Sequence, residues 1–439
     1  MLRFTGRQAR RCGLAGLALC MVAFSTGGTS SAGTLAAGTS LVTLKVLEWE
    51  PGGATYWHKA VAAFESSHPG IKVQLESVPN NQYLQVEGPY ISSRSGPDVM
   101  MNNAGLEIFQ RAAAYQPINK LITPTIKREL LTYSGACLDF NTSNPCYGLP
   151  FSYQGNVMYY NKKVLREAGL NPNDPPRTWA QFGADCQAVN KIGKTCLALG
   201  LQGQYPSYWD FPEIARNYLT VGQIRGLLLG KFSWESPAAK AILAHLAQIV
   251  QDGWANNNAA SIPMLPDGAN IFQSGDAAFA GTIISDAVNW SQFGPALGWQ
   301  NLGVMPWPVI NETAPLAHKF SGIEGSILGI TRWTKHPTQA WEFVSWMAGP
   351  QNADLWVKYA QGFSLNRYVD KAMLPKRPQY LAIEKIISNP TLHAGVMLSA
   401  QEQDALSRGW EEIAAKEITV NQWAGQMEAA LKATPPIKM

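Results

Sequence analysis

Apolar and polar residues alternate along the chain in a repeating strand-then-helix grammar. Leu41 to Leu47 is an apolar, β-branched run that reads as a buried strand. A Pro51-Gly52-Gly53 turn follows. Thr55 is placed to cap a helix in which Trp57, Val61 and Phe64 share one face at i, i+4 and i+7. Pro69-Gly70 ends that helix, and Ile71, Val73 and Leu75 then alternate with Lys72, Gln74 and Glu76 as a half-buried strand. A strand–helix–strand opening predicts a parallel pair joined by a right-handed crossover. Pro97 to Met101 and Val157 to Tyr160 read as further buried strands, the second leading into a helix that ends at Gly169. Thr178 to Gln181 has capping-box spacing after Pro175-Pro176. Ala238–Val250, Thr338–Met347 and much of Gln401–Lys432 are helical by periodicity, and no repeat is visible. The class is α/β, and 439 residues are too many for one ordinary core.

The N-terminal segment changes the picture. Arg3, Arg7, Arg10 and Arg11 precede an apolar run from Cys12 to Phe24, too short to span a bilayer and of the length of a signal h-region. Ser30-Ser31-Ala32 is an acceptable cleavage site, so residues 1–32 read as a signal peptide and 33–40 as a small-residue linker. Arg10-Arg11 admits a twin-arginine signal, and Cys20 admits a lipid anchor, although Leu19 suits a lipid-modified cysteine poorly. The expected location is periplasmic or cell-surface. No later run is long and apolar enough for a membrane helix.

Setting the four leading arginines aside balances basic and acidic side chains at 31 each. A neutral chain has no general pull toward nucleic acid or anionic lipid, so no nucleic-acid partner is expected. Cys137, Cys146, Cys186 and Cys196 remain after cleavage. They allow three pairings, of which two local loops, 137–146 and 186–196, are the simplest in an oxidising compartment. Neither pair has C-x₂-C spacing and no histidine lies near, so no metal is expected.

Other chemistries find no complete motif. Gly193-Lys194-Thr195 ends like a phosphate loop, but Ala188 stands where its first glycine belongs. Neither G-x-S-x-G nor H-E-x-x-H occurs. The six histidines have no ligand spacing, and most are expected at the surface or on helix caps. No cofactor is implied.

Five segments resemble the sugar branch of ABC-transporter extracellular solute-binding proteins, the maltose- and trehalose-binding type. They are Phe64-Glu65-Ser66-Ser67-His68-Pro69-Gly70-Ile71-Lys72-Val73; Gly96-Pro97-Asp98-Val99 with Tyr115-Gln116-Pro117-Ile118; and Tyr147-Gly148-Leu149-Pro150 through Tyr159-Tyr160-Asn161-Lys162 to Pro176-Arg177-Thr178-Trp179. Phe272 to Phe279 and Gly325 to Ile330 with Ala340-Trp341-Glu342-Phe343 complete the set. The resemblance implies two α/β lobes of the periplasmic-binding-protein type with an inter-lobe cleft. One lobe would be 41–150 plus 319–362, the other 151–308 plus 364–434, with hinge crossings at 309–318 and 363. It also implies a non-enzymatic, monomeric receptor that passes a sugar to the transmembrane permease subunits of an ABC importer.

A sugar needs planar side chains for its faces and amides or carboxylates for its hydroxyls. The chain has 15 Trp. Trp179, Trp341 and Trp346 follow helical patterns and are read as packing. Loops that follow strands are the better places for ligand contacts. These give Glu48 and Trp49 with Glu50, then Asn102 and Asn103; Tyr153 and Gln154 beside Asn156 sit just past the first presumed crossing, where relatives place a polar sugar contact. Tyr205-Pro206-Ser207-Tyr208-Trp209-Asp210 reads as a Pro-containing loop, with Tyr208, Trp209 and Asp210 as a stacking platform. Asp286 and Trp290 follow the Phe279 segment, where relatives carry a tryptophan near Ser285. Gly322, Glu324 and Gly325 read as a turn before a strand, and Phe363 stands at the last crossing. The rival readings are a receptor for a polyamine or other small polar solute, a secreted glycoside hydrolase using two of Glu48, Asp210, Asp286 and Glu324, and a structural surface protein.

Overall fold

The computed structural model describes residues 41–49, 52–284 and 289–433. The expected signal peptide and linker, Glu50, and Asp286 lie outside the described residues.

β1 (Val42–Glu48) and β2 (Ile71–Ser77) pair in parallel, from Val42↔Ile71 to Glu48↔Ser77. The helix Gly53–Ser67 joins them, so the opening grammar is realised. Its buried face is Tyr56, Trp57, Ala60 and Phe64, while Val61 is half-buried. Thr55 is not its cap. Gly52, left-handed at φ 76, takes that position, and Thr55 falls inside the first turn. β3 (Val99–Asn102) lies parallel to β1.

The centre of the sheet is built from two long strands. β4 (Leu149–Asn161) and β8 (Phe320–Ile330) are buried along their whole lengths. β8 pairs antiparallel with β3 and with the first half of β4, from Leu149↔Leu328 to Gly155↔Gly322. From Asn156 onward β4 changes partner. It then pairs antiparallel with β6 (Ala277–Ile283) and β7 (Leu302–Met305). β5 (Thr195–Ala198) adds in parallel to β6. Two short strands complete the junction: β9 (Phe363–Ser364) on β4 at Ser152 and Tyr153, and β10 (Pro390–Thr391) on β8 at Phe320 and Ser321. The strand order is β2-β1-β3-β8-β4-β6-β5, with β7 and β9 on β4 and β10 on β8. At the point where partners change, Gly155 presses against the Phe320 ring, and a β-carbon there would collide with it.

Helices flank this sheet. Lys162–Glu167 follows β4 and is closed by Gly169 at φ 76. Trp179–Lys191 opens on the expected capping box, with Thr178 Oγ1 accepting from Gln181 N–H and Gln181 Oε1 accepting from Thr178 N–H. Pro237–Gln251, Pro337–Met347, Ala400–Ala414 and Val420–Ala433 lie where periodicity predicts helix. No helix among the described residues is long and apolar enough to cross a membrane.

Two local expectations are corrected. Pro206–Asp210 is a helical turn of π type, in which Phe211 N–H reaches the Pro206 carbonyl, and it runs into the helix Phe211–Ala215. Pro206 reads as a loop residue in the sequence, and Pro212 follows it closely. Each sits in a first helical turn, where a missing N–H costs nothing. Gly322, Glu324 and Gly325 are not a turn before a strand but lie inside β8. Their glycines admit side chains from β4. A β-carbon at Gly322 would strike the Tyr153 hydroxyl, and one at Gly325 the Gln154 side chain.

Both local disulfides form, Cys137–Cys146 and Cys186–Cys196, at sequence separations of 9 and 10. The second ties the helix Trp179–Lys191 to β5. Replacing Cys186 and Cys196 by serine should lower unfolding free energy by about 2–3 kcal/mol, the chain-entropy value for loops of this size. Urea titration of reduced-pair variant against parent measures the loss.

Candidate ligand-binding site

The ends of parallel strands expose backbone groups and side chains to whatever lies beyond the sheet. Glu48 ends β1 fully buried, accepting a hydrogen bond from the Ser77 hydroxyl. Trp49 follows it, 8 % exposed, edge-on to Tyr83 at 4.9 Å. Tyr83 is fixed in turn by donating to the Met101 carbonyl at 2.7 Å. Asn102 ends β3 buried, its amide donating to the Met100 carbonyl at 3.3 Å. Asn103 N–H and Nδ2 both donate to Glu107, at 3.2 and 3.1 Å.

Glu107 leads into a buried ionic group. Arg111 spans Glu107 at 2.8 Å and Glu87 at 3.2 Å, and the Tyr115 hydroxyl donates to Glu87 at 3.0 Å. Burial pushes Glu87 up to about 7 even with the Arg111 guanidinium beside it.

The crossing strands contribute a second group. Glu324, Tyr153 and Phe363 face one another across β8, β4 and β9, because Tyr153 is paired with Glu324 on one side and Phe363 on the other. Directly opposed residues share a sheet face. Glu324 is 4 % exposed and accepts from Thr132 Oγ1 at 2.5 Å, Ser134 Oγ at 3.1 Å and Gly135 N–H at 3.0 Å. Gln154 is buried against Gly325.

The helical turn Pro206–Asp210 supplies a third. Tyr208 and Trp209 are each 8 % exposed, with ring centroids 4.8 Å apart. Both rings pack on His393, at 5.5 and 5.3 Å. Burial raises the Tyr208 hydroxyl, and the charges of Glu107 and Glu324 raise it further. Tyr208 is therefore within electrostatic reach of both other groups. Asp210, at the end of the same turn, is 1 % exposed. It accepts from Asn156 Nδ2 at 2.8 Å, and burial pushes its carboxyl well above the usual range.

Trp290 and Phe363 are committed to packing. Trp290 is 1 % exposed, donates to the Gln361 carbonyl at 3.1 Å and lies against Tyr380, on which Phe363 stacks at 4.5 Å. One histidine stands apart from the majority expected at the surface or on caps. His393 is fully buried, and neither ring nitrogen has a hydrogen-bond partner. Sequence reasoning missed Glu107, Thr132, Ser134, Gly135 and His393 at this site. None carries a local pattern, and each arrives through a contact with a distant segment.

The strand β4 shared between two sets of partners, with polar and aromatic groups gathered beside the crossing, defines a two-lobed solute-binding protein. The chain belongs to the bacterial extracellular solute-binding protein family, whose model matches residues 49–354. A binding protein of Brucella abortus is 24 % identical over 410 residues, covering 89 % of this chain and 90 % of the relative. Among solved structures, one from a study of xylan utilisation by Caldanaerobius polysaccharolyticus has a TM-score of 0.77 at 19 % identity, covering 90 % of this chain and 100 % of the other. The maltose-bound MalE3 protein of T. maritima has a TM-score of 0.74 at 17 % identity, covering 89 % and 99 %.

Buried titratable groups give the fold a defined pH response. Burial depresses His393 from 6.5 to about 3, so the folded state keeps the ring neutral. The stability this confers is present above pH 6.5 and is lost as pH falls toward 3. Glu87 and Glu213 are raised by burial from 4.5 to about 7, so their contribution is largest below pH 4.5 and is lost as pH rises through 7. Acidification from pH 8 to 6.5 should therefore stabilise the protein, and His393 should oppose the gain below that. His393→Leu should remove the opposition, with a stability gain over the parent that grows by about 1.4 kcal/mol per pH unit below 6.5. Melting temperature against pH by scanning calorimetry reads both limbs.

Proposed function

We propose that this protein is the extracytoplasmic receptor of a carbohydrate ABC importer. It holds a di- or oligosaccharide between its lobes and delivers it, as a monomer, to membrane permease subunits. The lobes in this reading are 41–150 with 319–362, and 151–308 with 364–434. The N-terminal 32 residues direct export. One observation carries the reading: Tyr208, whose ring packs edge-on against Trp209, has its hydroxyl raised by the charges of Glu107 and Glu324, which this reading assigns to the opposite lobe. Aromatic faces against carboxylates suit a polyol, which offers C–H patches on its faces and hydroxyls at its edge. Glu48, Trp49, Asn102, Asn103, Tyr153, Gln154 and Gly325 complete the lining. The maltose bound to the T. maritima structure supports the same ligand class. Contact with both lobes makes the ligand bind the closed state better, which is the signal a permease can read. No reaction and no cofactor is required.

Titration calorimetry and thermal shift over maltose, xylotriose and diacetylchitobiose test the reading. Saturable binding without product formation is expected. Tyr208→Leu with Trp209→Leu keeps apolar volume but removes both π faces, and should weaken the bound sugar at least ten-fold, the cost of about 1.4 kcal/mol or more. A polyamine or glycerol phosphate that shifts the melting curve while every sugar leaves it unmoved would put the ligand in another class. Release of nitrophenol from a chromogenic glycoside would make the protein a hydrolase.

A further inference from the structure

Glu324 is held in an unusual way for a buried carboxylate. All three of its hydrogen bonds, from Thr132, Ser134 and Gly135, converge on one oxygen, Oε1. A carboxylate oxygen has two lone pairs, so three donors saturate it. The other oxygen, Oε2, accepts from no described residue, and no basic side chain among the described residues pairs with Glu324. Gly135 keeps Oε2 uncovered, since a β-carbon there would lie 2.7 Å from it. The side chain is 4 % exposed, and the Tyr208 hydroxyl from the aromatic turn responds to its charge.

The cradle is itself anchored. Gly135 O accepts from Gly105 N–H at 2.8 Å, which binds the segment to the loop after β3. Tyr147 N–H donates to the Ala136 carbonyl at 2.9 Å, and the Cys137–Cys146 disulfide closes directly behind. Glu324 cannot rotate away without surrendering three hydrogen bonds. Arg111 is committed to Glu87 and Glu107.

We infer that Glu324 is a specificity-determining residue: its Oε2 accepts a hydrogen bond from a hydroxyl or amino group of the carbohydrate, and its fixed charge turns away carbohydrates bearing phosphate or carboxylate. The inference rests on the carbohydrate reading above and narrows it to donor-rich, non-anionic sugars. An ionised acceptor strengthens the bond to a ligand hydroxyl. The same charge repels an anion in a site where little water screens it, which is selection by exclusion.

Glu324→Gln tests this with little change of shape. The amide oxygen can take the three cradle donors, while the exposed acceptor becomes an NH₂ donor. Affinities for the tightest-binding sugar of the panel and for its phosphorylated derivative are measured by calorimetry on parent and variant. The parent should bind the phosphorylated form at least ten-fold more weakly than the neutral sugar. The variant should lose at least ten-fold on the neutral sugar and narrow the gap between the two. Gly135→Ala, which covers Oε2 and leaves the charge in place, should also weaken the neutral sugar, and it carries the test if the glutamine variant does not fold. Parent-like affinity for the neutral sugar in both variants overturns the inference, as does a parent that takes the phosphorylated form as tightly as the neutral one. If the parent binds no sugar of the panel, the carbohydrate reading has failed first, and this inference falls with it.

Discussion

Strand β4 is hydrogen-bonded to β8 through its first half and to β6 and β7 through its second. None of its residues is exposed, and a buried peptide group left without a partner costs as much as a lost hydrogen bond. The strand therefore has to be continuous through the crossing, and both halves of the sheet have to register on it. Tyr153, Gln154 and Asn156 lie at the change of partner, with Glu324 and Gly325 brought alongside by β8 and Phe363 by β9. The position of the candidate site is a consequence of where one buried strand exchanges its neighbours.

Around that crossing the protein buries ionisable groups with unequal compensation. Glu324 is satisfied on one oxygen by three neutral donors, and the Arg111 group balances two carboxylates with one guanidinium. Asp210 Oδ2, Glu213 Oε1 and both nitrogens of His393 have no hydrogen-bond partner. Burial raises the Asp210 and Glu213 carboxyls and lowers the His393 imidazole, each toward its neutral form, and such groups cost stability. Holding polar groups in place before a ligand arrives reduces the ordering cost of binding. A solute-binding protein, the family to which this chain belongs, draws affinity from that rigidity.

Local periodicity and cap chemistry were legible because they depend on neighbours in the chain. The Thr178–Gln181 capping box, the β1–helix–β2 opening and the closely spaced cysteines each need only a few residues to be recognised. The Pro206–Asp210 turn was misread because proline marks loops and first helical turns alike, and only the succeeding hydrogen bonds separate the two. Gly322 and Gly325 were misread as a turn for a related reason. Glycine also marks close approach, and the approaching side chains, Tyr153 and Gln154, are distant in sequence.

The sequence alone determined an α/β class, the helices and strands with clear periodicity, two closely spaced cysteine pairs and a likeness carried by five spaced segments. It also named Glu324, Tyr208 and Trp209. Tertiary structure alone decided what those residues meet: that Glu324 is held by Thr132, Ser134 and Gly135, that Tyr208 and Trp209 close over His393, and that Trp290 and Phe363 pack on Tyr380. The physical reason is reach. Backbone propensity and capping act within about four residues of a position, whereas a binding site is assembled from groups that only the folded sheet brings within hydrogen-bonding distance.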